Sequence, residues 1–354
     1  MSWMRKYLTL LLMALVSCTP GRAPFRAEAL VGAFGPAFGP NAEYGLSGHF
    51  SFIADGLAVV GGGCNFPGDD PLAAGARKTF YSEVYLRDGQ WKKAGELPQA
   101  LAYACTAPVE DGVLLIGGST PEGLSSGVLH LCIRDGELVL SDVAPLPCGL
   151  DQAAACALGG RVFVAGGNDA QGASRRVLCL EDGRWKGFAE LPEGLVQPVA
   201  CVTEDALFVF GGFNSSASPK DAVSHGWRLA FASGEWTRME YPSDSLTFTG
   251  SAGALVDGRY LIFAGGVNRT VFNRAVNTTE PDYLFRPVGA YRFNPVLYCF
   301  DTRTMGWSTL ATDGIYALAG AALASDGHHL VVTGGELKPR IRTPQVIDIQ
   351  LKDL

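Results

Sequence analysis

"RVFVAGGNDAQGASRRVLCLEDGRWKGFAELP", residues 161–192, reads as a series of short strands separated by tight turns. The apolar run RVFVA stops at a diglycine, and the polar hairpin NDAQG follows. A second apolar run, RVLCL, ends at the turn signal EDG, and a segment carrying Trp185 then runs to a Leu-Pro. Short apolar runs punctuated by Gly and Asp argue for strands and turns rather than helices. Outward from this stretch the pattern recurs. Apolar runs end in a diglycine six times, as AVVGGG, LLIGG, FVAGG, FVFGG, IFAGG and VVTGG, near residues 62, 117, 166, 211, 265 and 334. Trp91, Trp185, Trp236 and Trp307 keep phase with them. A repeat of about 45–70 residues encoding four short strands is a propeller blade.

The unit resembles the kelch repeat, from about residue 25 to the end of the chain. The expected fold is therefore all-β, a six-bladed kelch β-propeller, with the tryptophans packing between blades. The last repeat is incomplete. After Gly335 the chain has room for one strand, TPQVIDIQL, but not for a Trp strand. A spare strand, APFRAEALVG (residues 23–32), precedes the first full repeat. The ring is expected to close by adding this N-terminal strand to the C-terminal blade, which removes the exposed edges of an open arc.

Bulk properties narrow the function. The chain has 354 residues, 45 of them glycine, and is 47% hydrophobic, which argues against disorder. A net charge of −7 argues against general nucleic-acid binding, which needs a basic face. The first twenty residues, MSWMRKYLTLLLMALVSCTP, place Arg5 and Lys6 before an apolar stretch too short to span a bilayer comfortably. LVSC resembles a bacterial lipoprotein signal. The expected organisation is a signal peptide over 1–17, a lipidated Cys18 with a linker over 18–24, and the propeller over 25–354. Thr19 rather than Asp at the next position points, by resemblance to lipoprotein sorting, to the outer membrane facing the periplasm.

Nine cysteines in an exported chain suggest disulfides. However, Cys132, Cys179 and Cys299 hold one equivalent place in three repeats, and Cys105, Cys156 and Cys201 hold another, so small buried thiols are expected. No CxxC or paired-His spacing indicates a metal site.

The loops after the diglycines and the loops leading into each blade should rim one mouth of the central channel, where a rigid scaffold displays function. Three post-diglycine loops are bland: STPEG, NDAQG and FNSSASPK. Two are long. CNFPGDDPLAAGARKTFYSEV brings Asn65, Phe66 and Lys78, and VNRTVFNRAVNTTEPDYLFRPVGAYRFN brings Asn268, Phe272 and Asn273. The sixth, ELKPRIRT, is short and carries Glu336, Lys338, Arg340 and Arg342. In a closed ring these three lie side by side. The lead-in loops add Tyr44, Tyr103, Gln152, Gln197, Thr249 and Tyr316, groups suited to hydrogen bonding a sugar.

GGELKPRIRT, GGVNRTVFN, YRFNPVLYCFD and GGCNFPG…ARKTFYSEVY resemble the N-acetylneuraminate epimerase (sialic acid mutarotase) group of bacterial kelch propellers. The similarity is cyclic: residues 240–354 resemble the middle of the periplasmic members, and residues 25–120 their final third. The resemblance implies that Glu336 and Arg342 are the functional pair, in an isomerase that interconverts the α and β anomers of N-acetylneuraminate. Glu336 would move the proton and Arg342 would clamp the sugar carboxylate. Asn65, Phe66, Lys78, Tyr103, Asn268, Phe272, Asn273, Lys338 and Arg340 are the expected substrate-binding residues. No cofactor is needed for that chemistry, and the only membrane contact would be the lipid anchor. Two other classes remain open on the residues. A non-catalytic propeller could bind glycan or protein partners through the same face. A copper oxidase of the galactose-oxidase type fits less well, since none of the five histidines falls in the post-diglycine loops singled out above.

Overall fold

The six apolar runs form strands, and each ends at or beside its diglycine. The computed structural model describes residues 21–354, so the leader and the lipidation expected at Cys18 lie outside the described residues. Five antiparallel four-stranded sheets span residues 50–96, 105–142, 154–190, 196–240 and 251–311, as blades 1 to 5. Blade 6 takes its inner strands from Ala322–Ser325, His329–Thr333 and Gln345–Lys352, and its outermost strand from Arg26–Ala33. That closing strand pairs along its whole length, from Arg26 opposite Lys352 to Ala33 opposite Gln345. The expected closure by the N-terminal segment is therefore observed. Just before it, Gly21–Arg22 pairs in parallel with the outer strand of blade 5.

The apolar core is divided among the junctions between blades. Six clusters fill the six junctions, such as Phe208 and Phe210 of blade 4 against Phe263 and Phe300 of blade 5. The phased tryptophans reach across these junctions, as expected. Trp185 Nε1 donates to Ala144 O at 2.8 Å, and Trp307 Nε1 donates to Glu240 O at 3.1 Å, each on the preceding blade. Blade 6 lacks a Trp strand, and the chain after the closing strand fills its junction with blade 1. Phe34 stacks on Phe38, and Phe38 stacks on Tyr85 with centroids 3.9 Å apart. All cysteines among the described residues are free thiols. Among those residues no helix is long and apolar enough to cross a membrane.

The diglycine has a specific steric cause. Gly334 and Gly335 adopt φ of 58° and 101°, in the left-handed region. A Cβ on Gly334 would lie 2.5 Å from Leu46 O, and that same oxygen accepts a hydrogen bond from Gly335 N at 2.7 Å. The next lead-in segment docks on bare backbone, which only glycine allows. The residue that follows is held in place by this docking, and in blade 6 it is Glu336.

Candidate active site

Six lead-in residues, Gly48, Tyr103, Gln152, Gln197, Gly250 and Gly320, share a left-handed backbone with φ between 52° and 68°. The N–H of each donates to the carbonyl of the one before it, from Tyr103 N to Gly48 O at 2.6 Å round to Gly48 N to Gly320 O at 3.1 Å. This closed ring of backbone hydrogen bonds contributes to the floor of a cavity of about 600 Å³ at the mouth rimmed by the post-diglycine loops.

Glu336 faces that cavity. Its N–H donates to Ala319 O at 2.7 Å, and its carbonyl accepts from Ala319 N at 3.1 Å. A two-stranded hairpin, Glu336–Lys338 with Ile341–Arg342, sets Arg342 opposite Glu336, and the guanidinium Nη1 pairs with the Glu336 carboxylate. The Arg342 side chain is 2% exposed and that of Glu336 is 24% exposed. Burial pushes the Glu336 carboxyl above its usual value, while the charges of Arg342 and Lys78 oppose the rise.

Lys78 and Tyr103 stand beside it on the cavity wall. Lys78 Nζ donates to the Tyr103 hydroxyl at 3.0 Å, and Cys64 Sγ donates to it at 3.2 Å. Burial pushes the Tyr103 phenol well up, with Cys64 adding to the rise, so it stays protonated. Both of its lone pairs are taken, which leaves its own proton free to donate into the cavity. The long insertion of blade 5 supplies a more apolar wall: Val271, Phe272 and Ala275 of the helix Arg269–Asn277, with Tyr283, Tyr291 and Phe293 behind. Asn268 lines the cavity and caps this helix, its Oδ1 accepting from Val271 N at 3.1 Å.

Of the expected site residues, Glu336, Lys78, Tyr103, Asn268 and Phe272 line the cavity. The others stand behind it, each for a physical reason. Asn65 is 1% exposed; its amide donates to Asn41 Oδ1 and Gly45 O, and its Oδ1 accepts from the Tyr81 hydroxyl. It braces blade 1 and has no face toward a sugar. Asn273 accepts from Ala222 N at 2.8 Å and bonds Asp221, docking the helix on blade 4. Lys338 Nζ donates to Leu284 O and Arg286 O, and Arg340 Nη1 donates to Ala73 O. These two cations hold the blade 5 and blade 1 insertions on either side of the hairpin. Phe66 covers the guanidinium groups of Arg340 and Arg342, with centroid distances of 5.2 and 5.5 Å. Arg342 lies beneath Phe66 and beside Glu336, so Lys78 rather than Arg342 is the cation on the cavity surface. Among the lead-in residues, Tyr103, Gln152 and Gln197 line the cavity. Thr249 and Tyr316 are fully buried, and Thr249 Oγ1 donates to Gly212 O.

Ser119, Asp151 and His49 are among the cavity residues not singled out in the sequence. Burial lowers the His49 pKa to about 4, so its ring is neutral, and its Nε2 lies 2.9 Å from Thr333 Oγ1. Aligning the repeats would have exposed all three. Ser119 holds the place of Glu336 in blade 2, Asp151 immediately precedes a ring residue, and His49 immediately follows one. A second cavity, about 540 Å³, opens at the other mouth of the channel. Its charged lining is Asp55, Glu110, Asp111 and Arg134, and Arg134 is already paired with Asp111. That surplus of carboxylates repels anions.

The sequence profile of a family described as N-acetylneuraminate epimerase matches residues 31–140 and 143–354. Two similar proteins carry the same description. One, from Yersinia enterocolitica, is 40% identical over 108 residues, and one from Salmonella arizonae is 36% identical over 115 residues. These alignments span 28% and 30% of this chain, and the same shares of the two relatives' lengths.

Proposed function

The chain belongs to the N-acetylneuraminate epimerase family, and on that premise we propose that it interconverts the α and β anomers of N-acetylneuraminate. The observation that carries this reading is a carboxyl raised by burial, that of Glu336, facing a sugar-sized cavity beside a cation and a phenol. The sugar is a cyclic 2-keto acid. The Glu336 carboxylate takes the proton of the anomeric hydroxyl. The bond between the anomeric carbon and the ring oxygen breaks, a carbonyl forms, and the ring oxygen receives a proton from the Glu336 carboxyl. The ketone turns its other face, and the same steps run backward to close the ring. General acid–base help of this kind contributes about 10²–10⁴-fold. Tyr103 donates a hydrogen bond to the oxygen that bears developing charge. Lys78 holds the sugar carboxylate, and Arg342 holds Glu336 in position and in charge balance. A cyclic shift of blade order relative to the periplasmic members belongs to the same reading; both ends of the propeller meet in the closing blade, where such a shift leaves the ring intact.

Sugar released by a sialidase is initially the α anomer. Proton NMR should show the β signal growing faster with the protein than without it. Binding without any change in that rate would favour a non-catalytic glycan-binding propeller instead. Lys78→Met should raise KM by about 10–100-fold with a smaller change in kcat, since a charge-assisted hydrogen bond contributes about 1.5–3 kcal/mol. An unchanged KM would remove Lys78 from carboxylate binding.

Export and lipidation at Cys18, with an outer-membrane anchor facing the periplasm, complete the proposal. Mass spectrometry of the native protein should find a diacylated or triacylated N-terminal Cys18. Cleavage at another residue would rule this out.

A further inference from the structure

The cavity is electrically two-ended. Lys78, Tyr103 and Glu336 lie where blades 6 and 1 meet. Across the ring, Ser119, Asp151, Gln152 and Gln197 come from blades 2 to 4. Asp151 is 6% exposed and forms no ion pair among the described residues. Neutral donors hold its carboxylate: Ser119 Oγ, and Gln152 Nε2 at 3.3 Å. Gln197 Nε2 in turn donates to Gln152 Oε1 at 2.6 Å. An ionised carboxylate has about four acceptor sites, so acceptor capacity remains toward the cavity.

A second observation marks the same arc. The six-membered backbone ring requires a left-handed conformation that disfavours any residue with a Cβ. Blades 1, 5 and 6 satisfy it with Gly48, Gly250 and Gly320, whereas blades 2 to 4 place Tyr103, Gln152 and Gln197 there. Gln152 and Gln197 stand on the Asp151 arc against a backbone preference and line the cavity there, whereas Tyr103 turns its hydroxyl to Lys78 at the other end.

We propose that Asp151, ordered by Ser119, Gln152 and Gln197, forms a polyol subsite that accepts hydrogen bonds from vicinal hydroxyls on the tail of the sugar acid. This rests on the sugar-acid reading above and adds an orientation to it. The unpaired carboxylate of Asp151 repels the carboxylate of the sugar and attracts its hydroxyl donors. The sugar therefore enters with its acid group toward Lys78 and its tail toward Asp151, which sets the anomeric centre at the Glu336 end.

The test compares affinities, by titration calorimetry, for N-acetylneuraminate and for its tail-shortened analogue, made by periodate cleavage and borohydride reduction of the methyl glycoside, whose protected anomeric centre is then freed in acid. Wild-type protein should bind the shortened sugar about tenfold or more weakly. Asp151→Asn, which keeps size but not charge, should bind the full sugar about tenfold more weakly and should discriminate between the two by less than about threefold. Gln197→Ala should lie between them, and melting curves should confirm that both variants are folded. Equal discrimination in wild type and Asp151→Asn, or none in wild type, would overturn the subsite while leaving the sugar-acid reading in place. Failure of wild type to bind either sugar would remove that reading and the subsite with it.

Discussion

Arg342→Ala should reduce anomer exchange severely and lower the melting temperature together. The substitution removes the cation paired with Glu336 and leaves that carboxylate partly buried with the charge of Lys78 but without its ion-pair partner. Breaking a buried pair from one side costs on the order of 3–5 kcal/mol, and the partial exposure of Glu336 puts this case at the lower end. The pH dependence follows from the direction of the shift. The Glu336 carboxyl is already raised by burial, and Arg342 opposes that rise, so removing Arg342 raises it further. A carboxyl raised in the folded state destabilises the fold once ionised, and the penalty grows as pH climbs from the ordinary carboxylate value through the raised one. Arg342→Gln should therefore be most destabilised at neutral and alkaline pH and should approach wild type in acid, where Glu336 is protonated. The acid limb of its rate profile should move to higher pH. Arg342→Lys should recover stability better than rate, because it restores the charge but not the planar fork that fixes the carboxylate. A stability difference for Arg342→Gln that does not change with pH would show that the pair does not govern the Glu336 charge.

Deleting residues 24–34 should prevent folding or lower the melting temperature drastically. The segment supplies the outer strand of blade 6, in register from Arg26 to Ala33. It also carries Phe25 and Phe34, both at most 5% exposed, into the junctions on either side of that blade. Truncating a buried Phe costs about 3–5 kcal/mol, so the two together approach the total stability of a typical domain, about 5–15 kcal/mol. An unchanged melting curve would contradict ring closure by this strand.

The fold was legible because its repeat is enforced by sterics. Gly334 cannot carry a Cβ against Leu46 O, and the other five blades impose the same demand, so the diglycines survive as visible punctuation. The blade count, the role of Trp185 and Trp307, and the closing strand all followed from that phase. The site was legible in part. Glu336, Lys78 and Tyr103 stood out because charge and aromaticity are conspicuous in neutral loops. What the sequence could not supply was direction. Arg340 and Lys338 read as ligand-binding cations, but their long side chains reach backbone carbonyls of the neighbouring insertions. Asn65 and Asn273 read as sugar contacts, but their amides satisfy buried or docking partners within the protein. Asp151 carries no such signal in the sequence: its freedom from an ion pair among the described residues depends on which blades face each other.

The proton-transfer role of Glu336 is tested most directly by Glu336→Gln, which keeps the size and hydrogen-bonding ability of the side chain but cannot accept the proton. Anomer exchange of N-acetylneuraminate should be followed by NMR at saturating sugar, with the spontaneous rate subtracted and binding measured on the same samples. The predicted result is retained binding with exchange reduced by about 10²-fold or more. Full exchange above the spontaneous background in Glu336→Gln would contradict it, and would pass the acid–base role to another cavity residue, with Tyr103 the first to examine.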